Sequence, residues 1–280
     1  MPMQQGAVTI KTLRAMARAG EAFACLTCYD ATTARWLARG GVHVLLVGDT
    51  AAEVVLGFGR TIDMPLEVLV ALTAGVKRGA PDRVVMADMP FLSYSADEAE
   101  GVRNAGRFLR DGMADIVKVE ADASQAGLVH KMTRAGVPVC AHVGSRPQQS
   151  ALTGGYAGAG RTAKDAQRVV DDAVALEQAG AVMLLVEAVP EEVTRRVLDA
   201  TTVPVVGIGA GQACHGQVLV LQDLLGMTDN PPPFAVQLAD MGPRIRDAGR
   251  AWVELVSRRG NGGTGGEVVT KKGGQVQGRG

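Results

Sequence analysis

The 280-residue chain has no surplus of charge, since Lys plus Arg and Asp plus Glu each total 29. Such a balance offers no electrostatic footing for nucleic acid or an anionic membrane, and leaves a small molecule as the expected partner. No apolar run approaches the roughly 18 residues of a membrane span, and "MPMQQGAVTI" lacks the basic-then-apolar build of a secretory signal. A cytoplasmic location is therefore expected. Cysteine is scarce. Cys25, Cys28, Cys140 and Cys214 are the four, three of them inside strand-like runs, which speaks against a disulfide scaffold and for reduced, buried thiols. Cys25 and Cys28 have the spacing of a redox or zinc motif, but residues three apart on a strand point to opposite faces. A dinucleotide fingerprint is missing too. "GIGAG" at 207–211 lacks the G-x-G-x-x-G spacing and a following helix, so its glycines are expected to admit a close approach of backbone to a ligand or a neighbouring strand.

What is present is a repeated unit: an amphipathic stretch, a glycine, then a short run rich in Val, Ile and Leu. It occurs in "ARAGEAFACLTCYD", "LARGGVHVLLVGD", "KRGAPDRVVMADMP", "LRDGMADIVKVE", "TRAGVPVCAHVG" and "EQAGAVMLLVEA". The glycine stands where a helix C-terminus takes a left-handed residue, and the basic or polar residue before it suits the negative end of the helix dipole. The runs are continuously apolar, as parallel strands covered on both faces must be. "VPVVGIGAG" and "GQVLVLQDLLG" bring the series to eight. Helices are expected near 31–39, 65–78, 95–110, 122–135, 162–179 and 191–200, with Ser95, Asp122 and Thr162 as caps. Eight strands alternating with helices predict an α/β (β/α)8 TIM barrel. Residues 1–259 would form one domain, with an extra helix before the barrel in "TIKTLRAMARAG" and one or two after it over 234–259. Residues 260–280 read as a disordered, glycine-rich tail. Two places break the pattern: the crossover between strands seven and eight is too short for a full helix, and the Gly-rich connection at 143–161 has a length usual for functional loops.

Barrel chemistry sits at the C-terminal ends of the strands. Those ends carry Tyr29 and Asp30, Asp49 and Thr50, Asp88, Lys118 and Glu120, His142, Glu187, and the glycines 207, 209 and 211. One Asp after an apolar run is commonly a cap or turn residue. Several on one rim converge on a single mouth, where four carboxylates repel unless a cation or proton intervenes. A divalent metal is the economical solution, and oxygen ligands favour Mg²⁺ or Mn²⁺ over zinc. A chelating 2-oxo acid would complete the coordination, a carboxylate not bound to metal would act as base, and Lys118 and His142 would suit the anionic end of the substrate. His43 and His130 read as structural or surface residues, while His215 stays open.

At these residues the sequence resembles the 3-methyl-2-oxobutanoate (ketopantoate) hydroxymethyltransferase family of pantothenate biosynthesis. The matching segments are "TCYD", "LLVGDT", "VKRGAP", "MADMPF", "VKVE", "VPVCAHVG", "GGYAGAGR", "ALEQAGAVMLLVEAVP" and "VPVVGIGAG...GQVLVLQDLLG", in family order over about residues 9–245. The resemblance implies a barrel of the phosphoenolpyruvate/pyruvate type, a decamer, Mg²⁺, and transfer of the one-carbon unit of 5,10-methylenetetrahydrofolate to 3-methyl-2-oxobutanoate, giving 2-dehydropantoate. By position it implies Asp49 and Asp88 on the metal and Glu120 beside it. It implies that Thr50, Lys118 and His142 join them in holding the 2-oxo acid, and that Glu187 takes the C3 proton. The chain departs from the family pattern at Thr50, Ala51-Ala52, Leu72, Ser145-Arg146 and His215. Those departures leave open a paralogue acting on a different 2-oxo acid. A metal-dependent carbon–carbon lyase of the isocitrate-lyase type lacks its "KKCGH" loop here, and a non-catalytic metabolite-binding barrel fits poorly with an intact set of carboxylates.

Overall fold

The computed structural model describes residues 6–155 and 157–260. Eight parallel strands close on themselves in sequence order: β1 Phe23–Thr27, β2 Val44–Val47, β3 Val84–Asp88, β4 Ile116–Glu120, β5 Val139–Gly144, β6 Met183–Glu187, β7 Val205–Ile208 and β8 Gly216–Leu219. β8 returns to β1 through Phe23 beside Gly216 and Cys25 beside Val218, so the predicted barrel is complete. The helices are α1 Ile10–Ala19, α2 Ala31–Arg39, α3 Ala51–Val54, α4 Leu66–Gly79, α5 Glu98–Arg110, α6 Ala126–Arg134, α7 Ser150–Thr153, α8 Ala163–Gln178, α9 Glu191–Ala200, α10 Leu221–Leu224 and α11 Met241–Gly260.

Strand parity divides the core in two. Phe23, Cys25, Val44, Leu46, Val84, Met86, Ile116, Cys140, Met183, Leu185, Val206 and Val218 fill the barrel interior, and Val8 and Leu13 join them from the segment that leads into and through α1. Their neighbours in sequence, such as Leu45, Val85, Val117, Ala141 and Leu184, belong to the larger core between the barrel and its helices. Because alternate residues face the same way, the next inward positions above this apolar filling are Asp88, Lys118, Glu120, His142 and Glu187. The same alternation places Cys25 inside and Cys28 outside, and all four cysteines are free and buried.

Several expectations change in detail. Helix α5 starts at Glu98 with Asp97 as its cap, accepting from Ala99 N at 2.9 Å, rather than at Ser95. The preceding turn is held by Asn104 Nδ2 donating to Ser93 O, which delays the helix. Residues 123–125 form a 3₁₀ turn capped by Asp122 before α6 begins. The apolar run after β7 is not one strand: it breaks after Leu219 into α10. C-terminal helicity begins at Met241 rather than near 234. The long connection carries a 3₁₀ turn, Pro147–Gln149, and α7. The glycine-rich tail beyond Gly260 lies outside the described residues. Among those described, no helix is long and apolar enough to cross a membrane.

Candidate active site

All seven residues singled out at the strand ends, Asp49, Thr50, Asp88, Lys118, Glu120, His142 and Glu187, line one cavity of about 930 Å³ at the barrel mouth. Their positions follow from the backbone. Gly48 ends the β2 run, and a Cβ there would stand 3.3 Å from Asp88 Oδ2. Without that side chain, Asp49 N reaches the same oxygen at 3.0 Å. Asp88 Oδ1 accepts from Lys118 Nζ at 2.5 Å, an ion pair with both side chains buried. Burial acts against the Lys118 charge, but Asp88, Asp49 and Glu120 outweigh it and raise its pKa, so the ammonium is retained.

The remaining acids lack such a partner. Burial, and then the charge of Asp88, push Asp49 up to about 7, against the pull of Lys118 and of the Gln148 amide. Burial likewise lifts Glu120 well above the ordinary carboxyl range, although Gln148 N donates to its Oε2 at 3.0 Å. Glu187 is raised to about 7 by burial first and then, against Lys118, by Asp49 and Asp88. Its side chain is 22% exposed whereas those of Asp88 and Glu120 are 4% and 3%, so Glu187 is the acid that opens onto the cavity. His142 lies between two of these acids, with Nδ1 3.8 Å from Glu120 Oε1 and Nε2 3.3 Å from Glu187 Oε2. Burial, Lys118 and Arg146 hold it neutral, and neither ring nitrogen has a hydrogen bond. His142 is therefore available as a neutral hydrogen-bonding group, and Lys118 is the cation of the mouth. Among the described residues no three His, Cys, Asp or Glu side chains converge as a preformed metal cluster.

Gln148 holds the site together. Its amide nitrogen donates to Asp49 Oδ2 and Met89 O, each at 3.0 Å, and its carbonyl accepts from Tyr94 OH at 2.9 Å. Sequence reasoning passed over it because it arrives from the connection after β5 rather than from a strand end. Tyr29, at the end of β1, points a buried hydroxyl with no hydrogen bond toward the same region, near the Asp88 carboxylate. Asp30 is a helix cap instead, accepting from Thr32 N and Thr33 N. His43 and His215 are structural, each Nδ1 accepting a backbone N–H, from Ala24 and Val205 respectively, and His130 is exposed on α6. A Cβ on Gly207, Gly209 or Gly211 would crowd Cys214, Phe234 or Glu191, so the close approaches in "GIGAG" are to side chains of loops and of α9 rather than to a neighbouring strand.

A sequence model described as "Ketopantoate hydroxymethyltransferase" matches residues 7–261. The chain belongs to the ketopantoate hydroxymethyltransferase family. A 3-methyl-2-oxobutanoate hydroxymethyltransferase of Halorhodospira halophila is 44% identical over 90% of this chain and 91% of its own length. That of Methylococcus capsulatus is 43% identical over 89% and 92%. Among solved structures, a phosphonopyruvate hydrolase in complex with oxalate and Mg²⁺ superposes with a TM-score of 0.62 at 13% identity, covering 90% of this chain and 88% of that one. A 2,3-dimethylmalate lyase of the PEP mutase/isocitrate lyase superfamily gives 0.59 at 17% identity, over 94% and 92%. Identities so low show the shared barrel alone. Of the positions where this family member departs from the pattern, only Thr50 and Ser145 face the cavity. Ala51 and Ala52 are buried in the outer core, Leu72 packs against that core, and Arg146 pairs with Asp122 at 2.6 Å.

Proposed function

We propose that this site transfers a hydroxymethyl group from 5,10-methylenetetrahydrofolate to 3-methyl-2-oxobutanoate, giving 2-dehydropantoate, with Mg²⁺ bound at Asp49 and Asp88. Two carboxylates side by side, with every donor an oxygen, suit a cation that binds through one or two protein ligands and keeps other positions for water and substrate. Held there, the ion would polarise the 2-oxo carbonyl and favour loss of the neighbouring proton. Glu120 lies beside it as a further oxygen donor. Lys118 offers a fixed positive charge to the substrate carboxylate, and neutral His142 and Thr50 offer hydrogen bonds.

Glu187 takes the C3 proton. The electron pair of the broken C–H bond forms the new C–C bond to the one-carbon unit, whose two bonds to folate nitrogens break; water supplies the hydroxyl, and the C3 proton together with one proton of water ends on those nitrogens as tetrahydrofolate leaves. The observation that carries this reading is Glu187 itself: an acid opening onto the cavity, with its pKa lifted to about 7 so that it can both accept and return a proton near neutrality. Glu187→Gln should bind metal and 2-oxo acid yet abolish exchange of the C3 proton with solvent deuterium. Undiminished exchange would remove Glu187 from the role. Chelation of divalent metal should abolish turnover, and full activity in metal-free protein would sink the Mg²⁺ assignment.

Thr50 and Ser145 favour a second reading, in which the accepted 2-oxo acid differs at C3. Both face the cavity, and among the described residues neither hydroxyl makes a hydrogen bond. Turnover rates across a panel of 2-oxo acids decide between the two. The protein is further proposed to act in the cytoplasm as a homo-oligomer, a decamer by family resemblance, binding neither nucleic acid nor membrane.

A further inference from the structure

One buried acid at the mouth has no part in the chemistry above. Asp223 sits in α10, which follows β8 directly and is pinned to β1 by Leu221 N donating to Thr27 Oγ1 at 2.9 Å. The residue is 6% exposed and lines the cavity. Among the described residues no hydrogen bond or ion pair engages its carboxylate, and it does not cap its own helix. Its oxygens open onto the cavity rather than into the protein core, so they are free to accept donors from a ligand held there.

The surroundings narrow what that ligand is. Thr61, 5% exposed and also without a side-chain hydrogen bond, lines the same cavity. The walls nearer solvent are Pro231, Pro232, Pro233 and Phe234, whose ring lies against Gly209 where any side chain would collide with it. Among the described residues no cationic side chain forms an ion pair with Asp223. A heterocycle with two adjacent N–H donors on one edge and a ring face to set against Phe234 satisfies all of this, because a carboxylate accepts two parallel N–H bonds from such an edge.

We infer that Asp223 binds the 2-amino and N3–H edge of the tetrahydrofolate pteridine, with Thr61 and Phe234 completing its subsite. This rests on the proposed use of methylenetetrahydrofolate. That edge is on the far side of the ring system from the one-carbon unit. Anchoring it on α10, beside the β8–β1 seam, leaves the one-carbon end free to extend into the same cavity that Glu187, Asp49 and Asp88 line.

The test compares wild type with Asp223→Asn and Asp223→Ala in steady-state kinetics, alongside C3 deuterium exchange measured without folate. The KM for methylenetetrahydrofolate should rise roughly 10- to 100-fold in both variants, as loss of a charge-assisted hydrogen bond to a buried group implies. Folate-free exchange and the KM for the 2-oxo acid should stay at wild-type values, which also reports an intact fold. A folate analogue lacking the 2-amino group should discriminate less between wild type and Asp223→Asn than the natural folate does, because only the N3–H bond to the carboxylate remains. An unchanged KM for folate, or exchange lost together with folate binding, would overturn the assignment. Failure of the underlying reading is separate and visible in wild type alone, as absence of any folate-dependent product.

Discussion

At the scale of single residues the site is governed by how few positive charges it contains. Lys118 is the cation buried against Asp88, Asp49 and Glu120, so removing Asp88 leaves an ammonium in the barrel with weaker compensation. Asp88→Ala is expected to lose activity even at saturating substrate and to unfold more easily, by about 3 kcal/mol, because breaking a buried pair strands its partner. Urea denaturation monitored by circular dichroism checks the second effect. The acid limb of the rate profile has its own signature. Glu187 must be ionised to act, and its pKa is raised to about 7, so activity should increase with pH through neutrality as the proton leaves. Two of the causes are the charges of Asp49 and Asp88, and a divalent cation bound to them should displace the limb to lower pH. A pH–rate profile unmoved between limiting and saturating Mg²⁺ would contradict that coupling. Asp49, Asp88, Lys118, Glu120, His142 and Glu187 were legible beforehand because each ends a strand or lies two residues from its end, where parity dictates the direction. Gln148 and Asp223 were not. The first reaches the site through the fold of a loop, and the second was hidden in "GQVLVLQDLLG", which reads as one apolar strand until the chain turns after Leu219.

At the scale of elements, junction chemistry decides where each helix begins. Asp30 accepts from Thr32 N at 2.8 Å, Thr33 N at 2.9 Å and Thr33 Oγ1 at 2.6 Å, fixing the start of α2 directly after β1. Asp30→Ala should cost about 1 kcal/mol of stability at neutral pH. Partial burial raises the Asp30 pKa, but these donors together outweigh it and hold the carboxyl below its ordinary value. A group depressed in the folded state stabilises above its unfolded pKa and loses that effect as pH falls through the folded one. The difference in Tm between wild type and Asp30→Ala should therefore shrink in acid, and a constant difference down to pH 2 would refute the cap as its source. Helix existence was readable from the glycine junctions and the apolar periodicity. The start of α5 was not, because two candidate caps, Ser95 and Asp97, stand two residues apart and only the Asn104 tether to Ser93 O selects between them.

At the scale of the whole molecule, the helical wall is incomplete. Seven residues join β7 to β8, the helix directly after β8 is the four-residue α10, and Ala24, Leu26 and Gln217 on the outward face of β1 and β8 retain exposure. Meanwhile α11 presents Ile245, Trp252, Val253 and Val256 to solvent and, among the described residues, packs extensively against no other element. Two incomplete apolar surfaces on one chain suit a second copy, with each α11 covering its partner's barrel. Sedimentation should show an oligomer for the full chain and a smaller species after deletion of residues 241–280. An unchanged sedimentation coefficient per subunit assembly would dismiss α11 as the contact.

The hydrogen bond from Leu221 N to Thr27 Oγ1 joins positions 194 residues apart. Nearly the whole barrel must be threaded into place before that clasp can close, and contacts so distant along the chain form late and slowly. Asp223 is oriented by the same clasp. A chain still emerging from synthesis, with every strand up to β7 made and Glu187 already present, would thus have no finished binding mouth; the closing event of folding and the acquisition of competence would coincide in time.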